Sequence, residues 1–477
     1  MTRASSISSA TVAVDEKSHE ISHNVHRDKG ILEPITSSTE ANILPETADQ
    51  PGELEADMEK AEAEGKRPNL GMMDPSSFPD GGRKAWLVIF GSFCCLFCSF
   101  GWINCIGVFQ TYYQTHELSQ YTPSTVAWIT SLETFMMFLG GPFFGYIYDC
   151  YGPRYLLLAG TFLHVFGLMM ASISTQYYQF ILAQGICSPI GASAIFYPAV
   201  SSSSTWFFRR RALALGVVAS GSSLGGVIFP ILVQRLIPQI GFPWTMRVAA
   251  FLILSLLVIA NLTVRSRIPP TWKPFRPIDF ITPLKETPYL LVVIASFLFF
   301  IGLFLPLTYI ILQAQYSGMS PYLASYLLAI LNATSIFGRT IPGYLADRYG
   351  RLNITVITSV FSGIIVLALW LPATTNAPII VFAVLYGFGS GAFVSMVPAV
   401  IAQISDIRQI GMRTGTLFAI ISVGALCGGP IGGAFIDSQD GAFGHLQIFG
   451  GVMLLAGAAM FMFARVSLVG WTILKKV

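Results

Sequence analysis

Twelve long apolar runs constrain this chain more than any other feature of its sequence. The first run, 86–109, has 24 residues and no charged side chain. A bilayer core about 30 Å thick needs about 20 residues of α-helix, so runs of this kind can cross a membrane. Short polar breaks place the runs in two groups of six: 86–109, 126–148, 155–173, 180–207, 212–233, 248–264, 289–314, 322–345, 354–371, 379–401, 415–436 and 441–463. We therefore predict an all-α integral membrane protein with twelve transmembrane helices.

The composition excludes most other classes of protein. Charged residues make up 11% of the chain and hydrophobic residues 53%, and the mean hydropathy is +0.63. A soluble domain carries about 25% charged residues, so this chain cannot form a soluble surface. We expect no nucleic-acid partner, because the basic residues lie between apolar runs. No cluster of catalytic side chains and no metal-ligand spacing is present, so we expect neither an enzyme nor a cofactor.

The charge is distributed unevenly along the chain. Residues 1–79 hold 15 Asp/Glu and 7 Lys/Arg, a net charge of −8, whereas residues 80–477 hold 10 and 21, a net charge of +11. Polar segments with few aromatic residues cannot bury enough apolar area to fold. We predict a disordered acidic cytoplasmic tail at 1–79, an N-terminal six-helix half at 80–264, a cytoplasmic linker at 265–288 and a C-terminal six-helix half at 289–477.

The placement of Lys and Arg predicts the orientation in the membrane. With the N-terminus inside, 19 of the 21 Lys/Arg of the body lie at the inner side, and only Arg235 and Arg247 lie outside. Positive residues are retained on the cytoplasmic side of membranes. We expect both termini to be cytoplasmic and the protein to lie in the plasma membrane, with an internal membrane such as the vacuole as the alternative.

The two groups of runs repeat one another. An acid and two glycines in the turn after run 2 recur 198 residues later in the turn after run 8. Transporters built from such repeats bind substrate between the two halves, near the middle of the bilayer. Glycine permits close helix approach, and the acid can bind an arginine or a helix N-terminus. We predict that the two turns gate the transporter, through Gly145, Asp149, Gly152, Arg154, Gly343, Asp347, Arg348, Gly350 and Arg351.

These turns resemble the signature loop of the major facilitator superfamily. Two further segments resemble the hallmark segments of its monocarboxylate porter family, particularly the fungal members: Asp80, Gly81, Gly82 and Trp86 before run 1, and Arg209, Arg210 and Arg211 between runs 4 and 5. The resemblance covers 80–477 and implies a fold of two six-helix pseudo-repeats and secondary transport of small organic solutes. We expect the carboxylate of Asp80 to cap the first helix or to pair with Arg209–Arg211, and the alternative role of the three arginines is to anchor the topology.

Ionisable residues inside a span are candidates for function. Arg339 in run 8 keeps its charge and suits an anionic substrate group, and the resemblance implies that it contacts a substrate carboxylate. The alternative is a structural ion pair. Glu133 in run 2 is a candidate for proton coupling, because a buried carboxyl group can exchange a proton near neutral pH. The alternatives are a side chain that faces the outer water and a hydrogen bond within the bundle. For His164 in run 3 we expect such a bond.

The chain departs from the family at two positions. Members that carry lactate-like substrates with a proton have an acid where this chain has Ser335, and a lysine where it has Asn104. These departures favour a larger or less charged substrate than a short monocarboxylate. By analogy with the family, a flat or amphipathic molecule would be bound by Asn104, Trp102, Tyr197, Asn332 and Tyr386 together with Arg339. For Trp102, Tyr197, Asn332 and Tyr386, packing is the alternative role.

The sequence therefore predicts a secondary active transporter that works by alternating access, as a monomer, on a small-molecule substrate. No phosphate-binding loop indicates ATP drive. We favour efflux of an organic-acid-like or amphipathic secondary metabolite. The alternatives are proton-coupled uptake of a monocarboxylate or vitamin-like nutrient, and a non-transporting nutrient sensor that signals through its tail.

Overall fold

The structure, a computed structural model, describes residues 78–272, 274–437, 442–472 and 475–476. Every regular element in these ranges is a helix. The acidic tail predicted at 1–79 lies outside the described residues except for its last two positions. Of these, Phe78 is buried and its ring lies 5.5 Å from that of Phe208.

The helices follow the twelve predicted runs in order, and we call them spans 1 to 12. Within the described ranges, ten helices are long and apolar enough to cross a membrane. Span 2 is interrupted at Gly140, and spans 5 and 6 form one 53-residue helix that breaks at Gly241, which brings the total to twelve. The bounds are Gly82–Thr115, Pro123–Leu139 with Gly141–Tyr151, Pro153–Ala171, Tyr177–Trp206, Arg211–Thr263 for spans 5 and 6, Thr287–Tyr316, Pro321–Tyr349, Arg351–Trp370, Asn376–Ile404, Ile407–Ile436 and Gly444–Val469. The predicted all-α fold is confirmed.

Several helices are longer than the apolar runs that predicted them. The polar break expected at 234–247 is largely helical, and the chain reverses at Gly241, where φ is 77° and ψ is 163°. Glycine adopts such a positive φ without steric strain. Two short π-helical segments, Ile181–Cys187 in span 4 and Val366–Trp370 in span 9, were not predicted. Apolar periodicity does not distinguish them from α-helix.

The two groups of six are joined by a largely irregular segment. The last helix of the first group ends at Thr263 and the first helix of the second group begins at Thr287. Only the short helices Ile278–Ile281 and Thr282–Lys285 lie between them in the described residues. The domain limits at 264 and 289 stay a prediction.

Glycines allow the two halves to meet backbone to backbone. Span 2 packs on span 11 and span 5 packs on span 8. A Cβ atom at Gly145 would overlap the carbonyl oxygen of Gly411, and one at Gly343 would lie 2.8 Å from the carbonyl oxygen of Ala212. These contacts lie at the end of the bundle that carries Asp149, Arg209–Arg211 and Asp347, which we call the basic end.

Candidate functional site

The carboxylate of Asp347 binds the start of span 5, in the opposite half of the molecule. It accepts hydrogen bonds from the backbone N–H groups of Ala212, at 3.0 Å, and Leu213, at 2.9 Å. The first N–H groups of a helix have no partner within the helix and carry a partial positive charge. The acid of the second half thus holds a helix of the first half at the basic end.

Asp149 makes the equivalent contact in the other direction. Its carboxylate accepts from the N–H groups of Gly411, at 3.1 Å, and Met412, at 2.8 Å, at the start of the helix of span 11. Asp149 and Asp347 therefore form a pseudo-symmetric pair, and each crosses the boundary between the halves. The pair thus joins the two halves at the basic end.

The other residues of the predicted gating turns have different surroundings. Gly152 and Gly350 have φ of 77° and 105°, which a side chain would disfavour. The Nη2 atom of Arg351 donates to the carbonyl oxygen of Phe208 at 2.6 Å. Arg154 and Arg348 are exposed, and the guanidinium of Arg348 lies over the ring of its neighbour Tyr344.

Asp80 was expected to cap the first helix or to pair with the arginine side chains. In the described residues it does neither. Its Oδ1 atom accepts from the backbone N–H groups of Phe208, at 2.7 Å, and Arg209, at 2.8 Å. The turn between spans 4 and 5 exposes these donors, and the positive φ of Gly81 and Gly82 brings the acid to them. Arg211 instead donates to the carbonyl oxygen of Ala402, in the other half, at 2.8 Å. The ring of Trp86 packs on Phe207.

Arg339 lies buried between the halves, with 5% of its surface exposed. Its Nη1 atom donates to the carbonyl oxygen of Ala219, at 2.5 Å, and to the hydroxyl of Ser222, both in span 5. Its Nε atom is buried and has no hydrogen-bond partner. No carboxylate pairs with it among the described residues, so the predicted alternative of a structural ion pair has no acid here.

Polar side chains continue from Arg339 along span 5. The hydroxyls of Ser223 and Ser335 are 3.1 Å apart. Further along, Asn104 and Asn332 both approach Gly226, where a Cβ atom would lie 2.9 Å from the Cγ atom of each. The structure thus brings three predicted residues to one helix, and we call the set the polar cluster: Asn104, Ser222, Ser223, Asn332, Ser335 and Arg339.

A second set of side chains joins the halves through aromatic rings. Phe138 of span 2 stacks on Phe418 of span 11 at 5.5 Å and meets Phe300 of span 7 edge to face at 5.7 Å. Tyr197 lies 6.0 Å from Phe418 and donates to the carbonyl oxygen of Phe138 at 2.9 Å. We call Phe138, Phe196, Tyr197, Phe300 and Phe418 the aromatic cluster. Only Tyr197 was predicted, because phenylalanine is common in every run.

Comparison with known proteins identifies the family. The sequence profile of the Major Facilitator Superfamily matches residues 90–381 and 314–471. The chain belongs to the major facilitator superfamily. It is 58% identical over 410 residues to MFS-type transporter 1 of Ophiocordyceps sp. (86% of this chain and 91% of that protein). It is 44% identical over 458 residues to the Fujikurins efflux protein of Gibberella fujikuroi (95% and 96%).

A solved structure of the superfamily has the same fold. The transporter FucP in its outward conformation superposes with a TM-score of 0.64 at 15% sequence identity, over 80% of this chain and 99% of that one. At this identity the likeness concerns the arrangement of the helices alone.

Within the superfamily fold, the two remaining predicted aromatic residues pack inside their own halves. Trp102 is 1% exposed and contacts Phe109 and Phe229. Tyr386 stacks on Phe382 at 5.1 Å and donates to the carbonyl oxygen of Leu303 at 3.0 Å. These contacts favour packing, the alternative role stated above.

Glu133 and His164 are both hydrogen-bonded inside the first half. The Oε2 atom of Glu133 accepts from Gln184 at 3.0 Å, and Gln184 in turn accepts from the hydroxyl of Tyr113. His164 lies 3.1 Å from the carbonyl oxygen of Cys98 through Nε2 and 2.9 Å from the hydroxyl of Ser188 through Nδ1. His164 therefore links spans 1, 3 and 4, as expected. Gln184, which the sequence analysis missed, lies in the π-helical segment of span 4, and such segments are frequent at functional sites.

Proposed function

We propose that this protein exports an amphipathic, acid-bearing secondary metabolite from the cytoplasm, as a member of the monocarboxylate porter family. Its membership of the superfamily, and a relative named as an efflux protein, support transport of a small organic solute out of the cell. The motifs around Asp80 and Arg209–Arg211 support the assignment to the porter family.

The observation that carries the proposal is the buried charge of Arg339. A buried charge without a counter-ion is costly and marks a functional position in membrane proteins. The guanidinium has a spare donor at Nε, and its present partners are a carbonyl and a hydroxyl, which leave the charge unbalanced. A substrate carboxylate would supply the missing negative charge and accept from two donors at once.

The aromatic cluster supplies surface for the apolar part of such a substrate. The two clusters are connected through span 1, since Asn104 donates to the carbonyl oxygen of Phe100 at 2.9 Å and the ring of Phe100 lies 5.7 Å from that of Phe138. A molecule with one acidic group and a flat apolar body would therefore contact both clusters.

Transport then requires the basic end to open. We place this end in the cytoplasm, because almost all Lys and Arg of the body lie there. Loading from the cytoplasm requires Asp149 and Asp347 to leave the helix N-termini they now bind. A substrate carboxylate could bind Arg339 in place of the carbonyl oxygen of Ala219 and the hydroxyl of Ser222. It would thereby remove contacts between spans 5 and 8 and favour opening of the basic end.

We assign proton coupling to Glu133. The carboxyl group is buried, and its hydrogen-bond partner in the described structure is the neutral amide of Gln184, which tolerates both the charged and the protonated form. Gln184, held by Tyr113, orients the acid and is a positioning residue.

The test combines metabolite profiling with substitution of Arg339. Cells without the gene should accumulate the metabolite inside, and cells that express the Arg339→Ala protein should show an efflux rate at least tenfold lower, because a charged hydrogen bond contributes about 1.5–3 kcal/mol. Arg235→Ala, which removes an exposed cation at the opposite end, is the matched control. Unchanged efflux by Arg339→Ala at a normal level in the membrane would refute the role of Arg339. Depletion inside cells that lack the gene would instead indicate uptake.

A further inference from the structure

The basic end contains a cavity of about 700 Å³ that lies apart from both clusters. The turn between spans 4 and 5 forms one wall, and the ends of spans 8 and 10 form the others. The residues that line it include four cations, one acid and one hydroxyl: Arg209, Arg211, Arg351, Lys476, Asp347 and Ser405. Four cations thus face a single carboxylate.

The positive charge of this cavity is not neutralised within the described structure. Asp347 is bound to the N–H groups of span 5, and its Oδ1 atom lies 3.4 Å from Arg351. Arg211 and Lys476 donate to backbone carbonyl oxygens. Carbonyl partners satisfy donors but do not cancel charge. Besides Asp347, the carboxylate of Asp80 interacts electrostatically with Arg211 and Arg351, so four cations and two acids leave a net charge of +2.

Two side chains on this lining have hydrogen-bond donors without a partner in the described part of the chain. The hydroxyl of Ser405 is buried and has no hydrogen-bond partner. Arg209 is exposed, and among the described residues only its backbone N–H group is hydrogen-bonded, to Asp80. Arg209 belongs to the first half and Ser405 to the second, so a ligand that binds both would bridge the halves.

We propose that this cavity binds an anion that carries several phosphate groups. Guanidinium groups bind phosphate through paired hydrogen bonds, and the volume lies within the range of small-molecule sites, about 300–1,000 Å³. A single carboxylate would leave part of the positive charge unbalanced, whereas a multiply phosphorylated group matches it. A phosphoinositide headgroup and a soluble polyphosphate ester share this chemistry. The bound anion stabilises the closed basic end and slows transport, a regulation distinct from the substrate site at Arg339.

The test measures binding to the purified full-length protein in nanodiscs. Inositol hexakisphosphate is the soluble probe, and phosphatidylinositol 4,5-bisphosphate in the nanodisc is the lipid probe. We expect submillimolar binding of at least one probe, weakened about tenfold by Arg209→Ala, since one charged hydrogen-bonding partner is lost. Arg210→Ala is the matched control, because Arg210 is an equally exposed neighbour that does not line the cavity.

Lys476→Ala and Ser405→Ala provide two further variants, so the test does not depend on the folding of one of them. Each should weaken binding, while the elution volume of the protein on size exclusion stays unchanged. Binding of the lipid without the soluble probe identifies a headgroup, and binding of both with mutual competition identifies a soluble phosphate as a competent ligand. Failure of both probes to bind the unsubstituted protein, or equal weakening by Arg209→Ala and Arg210→Ala, would overturn the proposal.

Discussion

Replacing Asp347 by Asn should shift the conformational equilibrium toward a state with the basic end open. The carboxylate accepts two backbone hydrogen bonds at the start of span 5, at 3.0 and 2.9 Å. A hydrogen bond to a charged group contributes about 1.5–3 kcal/mol and a neutral one about 1 kcal/mol. Asparagine keeps one acceptor oxygen and loses the favourable interaction with the helix dipole, so the closed state loses about 2 kcal/mol.

This loss corresponds to about a 30-fold change in the ratio of the two states, since 1.4 kcal/mol is tenfold. An open state populated at about 1% would rise to about a quarter of the molecules. Asp149→Asn should have the same effect, because it removes the pseudo-symmetric contact with Gly411 and Met412. The two acids share no partner, so the double variant should lose about 4 kcal/mol.

Spin-label distances across the basic end measure this shift. Tyr155 in the first half and Tyr349 in the second are 71% and 61% exposed, so cysteines at these positions accept labels. Of the native cysteines only Cys187 and Cys427 are not buried, and both can be replaced by serine. Each single variant should raise a long-distance population to about a quarter of the molecules, and the double variant should raise it further.

Asp406→Asn is the control for this experiment. Asp406 lies at the same end, but its Oδ1 atom accepts from the backbone N–H group of Arg408, two residues away, at 2.9 Å. Its replacement by Asn also removes one negative charge at the basic end, but it leaves the hydrogen bonds between the halves in place. If Asp406→Asn shifts the distances as much as Asp347→Asn, or if Asp347→Asn leaves them unchanged, the carboxylates do not hold the halves together.

Two further substitutions test the glycine contacts and the proton site. Gly145→Ala places a Cβ atom against the carbonyl oxygen of Gly411. It should lower the stability of the closed state, relative to the open state, by about 1–3 kcal/mol, as measured by the same distance assay. Gly107→Ala, which has open space around it, should leave the distances unchanged. Glu133→Gln fixes a neutral side chain and should flatten the pH dependence of efflux; Glu117→Gln, which changes a partly exposed acid, should preserve that dependence.

The number and order of the helices were predictable because the bilayer fixes how long an apolar run must be. The correspondence of Asp149 and Asp347 was also predictable from the sequence, because two copies of one six-helix unit carry the same acid in the same turn. The partners of these acids were not predictable. Asp149 and Met412 are separated by 263 positions, and a single sequence holds no signal that joins residues so far apart.

The proposed substrate region was predictable only where a residue is unusual for its surroundings. Arg339 is conspicuous in an apolar span, whereas Ser222 and Phe418 resemble many other residues of their spans. Trp102 and Tyr386 were chosen by analogy for a cavity, and they pack within single halves because large rings stabilise the core of a helix bundle wherever they fit.

The repeat also shows that the two boundaries between the halves are built from different contacts. Counting back 198 residues from Arg339 gives Gly141, whose backbone lies against Gly415 of span 11. The boundary of spans 2 and 11 is therefore a contact of glycines that the hydrogen bonds of Asp149 and the stacking of Phe138 on Phe418 stabilise. At the other boundary, spans 5 and 8 are joined through Asp347, through Arg339 and through the pair Ser223–Ser335. Of these contacts, that of Arg339 is the one whose charge a substrate carboxylate would balance. Binding should weaken the contact of spans 5 and 8 first, and the contact of spans 2 and 11 should follow.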